Sequence, residues 1–114
     1  MDRTTTVAQL KFLVEKFVTE RHWQRFHTPK NLAMGMAVEA AELMDLFKWQ
    51  AGPETVALVR RPAIRTALRE ELADVVIYCL ALANHAGIDV VQAVRAKLAK
   101  NRRKYPARKF RGRF

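Results

Sequence analysis

Apolar residues recur at helical spacing along most of the chain. A Thr6-x-x-Gln9 capping box precedes the first apolar stripe and predicts a helix over about residues 6–21. Gly87 is suited to cap a later helix at its C-terminus. The same spacing predicts three more helices, over about residues 31–50, 63–86 and 89–105. Four helices without a convincing strand predict an all-α protein, a four-helix bundle.

Proline and glycine mark the connections between these helices. Thr28-Pro29 marks a loop over about residues 22–31, and Gly52-Pro53 ends the second helix. Residues 54–59 are expected to form a helical turn within the second connection. The last helix is expected to end near Tyr105-Pro106, because proline lacks the N–H group that a helix interior needs.

Two of the predicted helices are apolar on nearly every side. Residues 72–83 carry one charge, at Asp74. Residues 32–49 carry only four side chains that are polar: Glu39, Glu42, Asp45 and Lys48. Such helices are typically buried all round, and a single small bundle cannot enclose two of them. We therefore expect a homo-oligomer, a tetramer before a dimer.

The acidic residues on these two helices form a repeated pattern. Glu39 and Glu42 are three residues apart, and Glu71 and Asp74 repeat that spacing on the third helix. If the two helices are neighbours, the four carboxylates converge, and they need a positive partner because buried like charges are costly. Oxygen ligands suit a hard cation, so the pattern favours a Mg²⁺ site in which Mn²⁺ can substitute.

Two other interpretations of the acids remain open from the residues alone. The four carboxylates could form surface salt bridges, since one Glu-x-x-Glu pair is common in helical proteins. A dinuclear iron site is the nearest metal alternative, but it requires Glu-x-x-His on two helices. None of the three histidines, His22, His27 and His85, lies three residues after a matching glutamate.

Composition narrows the class of protein. The 114 residues, half of them apolar, fit one domain, and the single cysteine, Cys79, excludes a disulfide framework. The sequence has no apolar run long enough for a membrane span and no signal-peptide pattern at its start, so we expect a cytoplasmic protein that does not act at a membrane.

The net charge of +10 lies at the C-terminus. Residues 95–114 contain ten Lys or Arg and no acid, whereas residues 1–94 contain eleven basic and eleven acidic residues. This basic segment indicates a phosphate-bearing partner. A helical module that binds nucleic acid through residues 95–114 is therefore the alternative function, although it has no use for four acids on apolar helices. A purely structural oligomerisation bundle is a third interpretation.

Aromatic and basic residues extend the acidic faces. Trp49 lies seven residues after Glu42, Tyr78 lies four after Asp74, and such rings can stack on a planar base. Core packing and a solvated basic face are the ordinary alternatives. Other side chains that could hold a ligand are Trp23 and His27 in the first loop, and Lys97, Asn101 and Arg102 on the last helix.

These motifs resemble the MazG-like, all-α nucleoside triphosphate pyrophosphohydrolases, and most closely their branch of dCTP pyrophosphatases. The similar segments are "ERHWQRFHTPKNLAMGMAVEAAELMDLFKWQ", "EELADVVIY" and "KLAKNRRKYP". The family's Glu-x-x-Glu, gap, Glu-x-x-Asp motif falls on Glu39, Glu42, Glu71 and Asp74. The resemblance implies a MazG-like domain over residues 1–106, followed by a basic tail over residues 107–114.

The resemblance also implies an activity. This is Mg²⁺-dependent hydrolysis of a nucleoside triphosphate, such as dCTP or a modified pyrimidine nucleotide, to the monophosphate and pyrophosphate. Glu42 is expected to be the catalytic residue that orients or deprotonates the water. The likeness places Trp23, His27, Trp49 and Tyr78 at the base and sugar. It places Lys97, Asn101 and Arg102 at the phosphates, with a dimer or tetramer as the assembly.

Overall fold

The computed structural model describes residues 1–113, so Phe114, at the end of the expected basic tail, lies outside the described residues. The prediction of an all-α protein is confirmed, and no strand occurs within residues 1–113. A 3₁₀ turn at Gln24–Phe26 accompanies six α-helices: α1 Val7–Glu20, α2 Pro29–Asp45, α3 Gly52–Leu58, α4 Pro62–Ala86, α5 Val90–Lys104 and α6 Ala107–Phe110.

The helix ends follow local hydrogen bonding. The capping box before α1 is formed: the Gln9 N–H donates to Thr6 Oγ1 over 3.1 Å, and the Thr6 N–H donates to Gln9 Oε1 over 2.7 Å. Asp89 Oδ1 accepts from the Gln92 N–H over 2.8 Å at the start of α5. Gly87 ends α4 with a φ of 64°, which glycine adopts without strain.

The bounds of α2 differ from the sequence prediction. The helix begins at Pro29 because Thr28 Oγ1 accepts from the Asn31 N–H and proline fits the first helical position. It ends at Asp45 instead of residue 50. There the Phe47 N–H donates to the carbonyl of Met44 over 2.9 Å, three residues back, so turns replace the last part of the helix.

Two short helices also extend the predicted set of four. The helix α3 occupies the connection in which a helical turn was expected, and α6 follows Pro106. Within α6, Phe110 packs edge-on against Tyr105, with ring centroids 5.3 Å apart. The predicted boundary near Pro106 thus separates α5 from a further helical turn and not from an extended segment.

The pair formed by α2 and α4 is the most extensive helix contact, and α1 packs on α4 as well. Met36 lies against Cys79 with their sulfur atoms 3.7 Å apart, and Gly35 lies against the ring of Tyr78. Because Glu42, further along α2, approaches Glu71, which is earlier on α4, the two helices are antiparallel. This pairing carries both acidic motifs.

A single chain buries few residues. Its buried core is small and consists of Val18, Leu32, Leu58, Leu80, Ala81 and Ala83. Large apolar side chains are exposed on both of the helices that were expected to be buried on all sides. They include Met34 and Val38 on α2 and Val76 and Ile77 on α4. One chain therefore leaves uncovered the apolar surface from which an oligomer was expected.

The helix α5 makes few contacts with the rest of the described chain. It follows α4 after a bend of 102° and packs extensively on no helix within residues 1–113. No single helix in this part of the chain is long and apolar enough to cross a membrane. The bent α4–α5 pair meets that test of length and composition only when the two helices are joined.

Candidate functional site

Three of the four predicted metal ligands meet between α2 and α4. One carboxylate oxygen from each of Glu39, Glu42 and Glu71 lies within 4.8 Å of the other two. The spacing of three residues puts Glu39 and Glu42 on one face of α2, and the antiparallel packing brings Glu71 opposite them. Asp74 follows Glu71 by one turn and lies outside this group of three, although its charge reaches Glu39 and Glu71.

The carboxylates lack positive partners. Glu39 Oε2 and Glu71 Oε2 are buried and accept no hydrogen bond within residues 1–113. Desolvation by burial raises the pKa of both carboxyls, and the neighbouring carboxylates of Glu42 and Asp74 raise it further. Buried oxygens without donors indicate that this cluster needs a cation or a proton.

The salt-bridge interpretation of the acids is wrong for a single chain. In the part of the chain that the structure describes, the ion pairs join Lys16 and Arg21 to Glu20 and Lys48 to Asp45, and none reaches the four carboxylates. Glu39, Glu71 and Asp74 are half-buried, whereas Glu42 is exposed. The cluster is therefore open to solvent at Glu42.

An apolar groove of about 720 Å³ runs between α1 and α4. Three of the predicted base and sugar contacts, Trp23, His27 and Tyr78, line it together with leucine and valine side chains of both helices. The Trp23 ring packs edge-on against Phe17, with centroids 5.7 Å apart. Tyr78 follows Asp74 by one turn of α4, whereas none of the four carboxylates lines the groove.

Comparison with known proteins places the chain in a family. The sequence profile of the MazG-like family matches residues 35–113. The chain belongs to the MazG-like family. A pyrophosphatase from Archaeoglobus fulgidus of known crystal structure is similar to it, with 39% identity and a TM-score of 0.81 over 87% of this chain and 91% of that one.

Two relatives of this MazG-like chain carry the name dCTP pyrophosphatase 1. The Bos taurus protein is 40% identical over 107 residues, which are 94% of this chain and 63% of the relative. The Homo sapiens protein is 41% identical over 102 residues, or 90% of this chain and 60% of the relative. The chain thus spans about three fifths of the length of these relatives. Its predicted resemblance to the dCTP pyrophosphatase branch is confirmed.

The other predicted contacts of the MazG-like chain form no polar contact with the carboxylates within residues 1–113. Trp49 lies in the turn after α2 with 84% of its surface exposed, next to Lys48. No hydrogen bond or ion pair within residues 1–113 joins the three predicted phosphate contacts on α5 to the acidic cluster. These three residues are Lys97, Asn101 and Arg102.

The structure adds residues that sequence reasoning missed. Gly35 lies directly beneath the Tyr78 ring, and a Cβ atom there would overlap the ring. A lone glycine inside an apolar helix was the available signal for this close approach. Glu15 and Asn84 line a polar pocket next to the groove. Since α1 and α4 are far apart in sequence, no local pattern brings those two residues together.

Proposed function

We propose that this chain is a Mg²⁺-dependent nucleoside triphosphate pyrophosphohydrolase that releases pyrophosphate and a nucleoside monophosphate. The cluster of Glu39, Glu42 and Glu71, with two buried oxygens lacking donors, carries the proposal. Membership of the MazG-like family and the relatives named dCTP pyrophosphatase 1 support it and favour dCTP or a modified pyrimidine nucleotide as substrate. The role is removal of unwanted nucleotides in the cytoplasm.

The residues present fit a hard divalent cation. The unpaired oxygens of Glu39 and Glu71 offer negative charge in a half-buried position, and an all-carboxylate donor set suits Mg²⁺, with Mn²⁺ as a substitute. When bound, the ion supplies neutralisation of the polyphosphate and acidification of a water molecule. We assign four ligands to it: Glu39, Glu42, Glu71 and Asp74.

Glu42 is the proposed catalytic residue. It is exposed at the open side of the cluster, where its carboxylate can orient a water molecule and accept its proton. Trp23, His27 and Tyr78 hold the base and sugar in the apolar groove, and Trp49 is a further base contact. Lys97, Asn101 and Arg102 neutralise the phosphates.

Exposed apolar residues of α2 outside the groove, namely Met34, Val38 and Met44, support a homo-oligomer, with a tetramer favoured over a dimer. We assign catalysis to residues 1–106 and treat residues 107–114 as a basic tail outside the site. Neither tail nor oligomer is needed to explain the acidic cluster itself.

Release of pyrophosphate from a panel of canonical and modified triphosphates tests the proposal. Activity is expected with Mg²⁺ and is expected to disappear with a chelator. No release from any triphosphate in the presence of Mg²⁺ or Mn²⁺ would refute it. Salt-sensitive binding of DNA, lost when residues 95–114 are neutralised, would instead support the nucleic-acid-binding alternative.

A further inference from the structure

A polar pocket adjoins the apolar groove. It has a volume of about 250 Å³, and Val18, His27 and Ala81 line both cavities, so the two are adjacent. The activity proposed above gives no role to four polar side chains of this pocket: Glu15, Gln24, Asn84 and His85. The pocket therefore offers hydrogen-bonding groups at one end of a cavity that is otherwise apolar.

The helix α4 fixes the position of this pocket relative to the acids. Tyr78, Ala81 and Asn84 follow Asp74 by four, seven and ten residues, which correspond to about 6, 10 and 15 Å along the axis. Phosphates at the carboxylates and a sugar beside Tyr78 would place the base between Trp23 and α4. The edge of the base would then face the polar pocket.

Two groups in the pocket are available as hydrogen-bond acceptors. Within residues 1–113 Glu15 forms no ion pair and no side-chain hydrogen bond, although lysines and arginines are abundant in the chain. The Asn84 side-chain N–H donates to the carbonyl of Lys11 over 2.9 Å, which fixes the amide. No described group donates to its Oδ1. Acceptors of this kind pair with an amino group and repel a carbonyl oxygen.

We propose that Glu15 determines base specificity by accepting a hydrogen bond from an exocyclic amino group of the substrate. Cytosine presents such a group at its 4-position, where uracil and thymine present a carbonyl oxygen. The inference rests on the proposed function, because that function sets which end of the nucleotide lies at the acids. It adds a polar residue of α1 to the proposed contacts from α2 and the turn after it, from α4, from α5 and from the first loop.

Glu15→Gln tests this role, since the amide can donate to a carbonyl as readily as it accepts from an amino group. The ratio of kcat/KM for dCTP to that for dUTP should fall about 10-fold, chiefly through KM for dCTP, as expected for loss of one hydrogen bond to a charged group near the surface. Glu20→Gln removes the same charge from the same helix outside the pocket and should leave the ratio unchanged. Both variants should melt like the wild type.

Binding of dCMP and dUMP without metal gives a readout that is independent of hydrolysis. Trp23 lines the groove, so tryptophan fluorescence reports occupancy. Wild type should bind dCMP about 10-fold more tightly than dUMP, and Glu15→Gln should lose this preference. Equal binding by the wild type, or an unchanged preference in the variant, overturns the role of Glu15 even if triphosphates are hydrolysed. Absence of hydrolysis alongside a Glu15-dependent preference for dCMP overturns the proposed reaction and retains the base pocket.

Discussion

Glu42→Gln is the most direct test of the acidic cluster. The substitution keeps the shape of the side chain, removes one negative charge within 4.8 Å of Glu39 and Glu71, and supplies an amide that can donate to their unpaired oxygens. In the presence of a chelator, the melting temperature of the variant should therefore equal or exceed that of the wild type. The loss of a polar contact usually lowers the melting temperature instead.

Magnesium should reverse this order of melting temperatures and make the wild type the more stable protein. At about 100 times its Kd, Mg²⁺ stabilises the wild type by about 2.7 kcal/mol, which for a domain of this size is a rise in Tm of roughly 10 °C. If Glu42→Gln weakens the site about tenfold, the gain at the same concentration falls to about half. Turnover should drop by about 10²–10³, as for the loss of a catalytic electrostatic group.

Thermal melts with magnesium and with a chelator, together with pyrophosphate release, measure both effects. Glu20→Gln serves as the matched control because it removes a carboxylate that pairs with Lys16 and Arg21 and lies outside the cluster. Equal magnesium shifts in wild type and Glu42→Gln, or no shift in the wild type, would remove Glu42 from the metal site. The same pattern of results is expected for Glu39→Gln, Glu71→Gln and Asp74→Asn.

Four further predictions concern pH, packing, the tail and assembly. The folded-state pKa of Glu39 and Glu71 is raised, so their contribution to stability without metal is greatest below the unfolded-state pKa and is lost as the pH rises through the folded-state pKa. Thermal melts across pH in a chelator should show this fall in stability, and magnesium should oppose it. Gly35→Ala should lower the free energy of unfolding by about 1–3 kcal/mol, because the added methyl group overlaps the Tyr78 ring. In a Tyr78→Ala background the same substitution should raise it by about 0.5–1 kcal/mol. Denaturant unfolding measures both values, and equal effects in the two backgrounds would contradict the contact. Deletion of residues 108–114 should leave turnover largely intact, and a large fall with the fold preserved would place the tail in a site. Light scattering at micromolar concentration should find an oligomer, and a compact monomer would refute the argument from exposed apolar faces.

Local signals made most of the helices predictable. The Thr6–Gln9 capping box, the Asp89 cap and Gly87 each act through neighbouring residues, so their effect can be inferred without knowing the tertiary structure. The end of α2 could not be inferred in this way. The helical spacing of apolar residues continues through Trp49. After Asp45, however, the backbone forms turns whose hydrogen bonds join residues three apart, and the α-helix ends.

The acidic site was predictable for a different reason. Charged residues are rare within the two apolar helices. Glu39, Glu42 and Asp74 therefore stand out, because a buried charge is costly and is not expected there by chance. Their distances were not predictable, because these depend on the register of α2 against α4. The structure accordingly brings Glu71 into the group of three and leaves Asp74 just outside it.

The order of residues along α4 matches the orientation of the nucleotide that we propose. Glu71, Asp74, Tyr78 and His85 lie at intervals of three, four and seven residues, which keep side chains on one side of a helix. Acids, an aromatic ring and polar groups therefore succeed one another in the order in which a nucleotide presents phosphate, sugar and base. The polar residues Asn84 and His85 end an apolar stretch that begins after Asp74, and this contrast was a signal in the sequence. Glu15, which lines the same pocket, carried no such signal, because α1 has polar residues throughout and only the packing of α1 on α4 selects one of them.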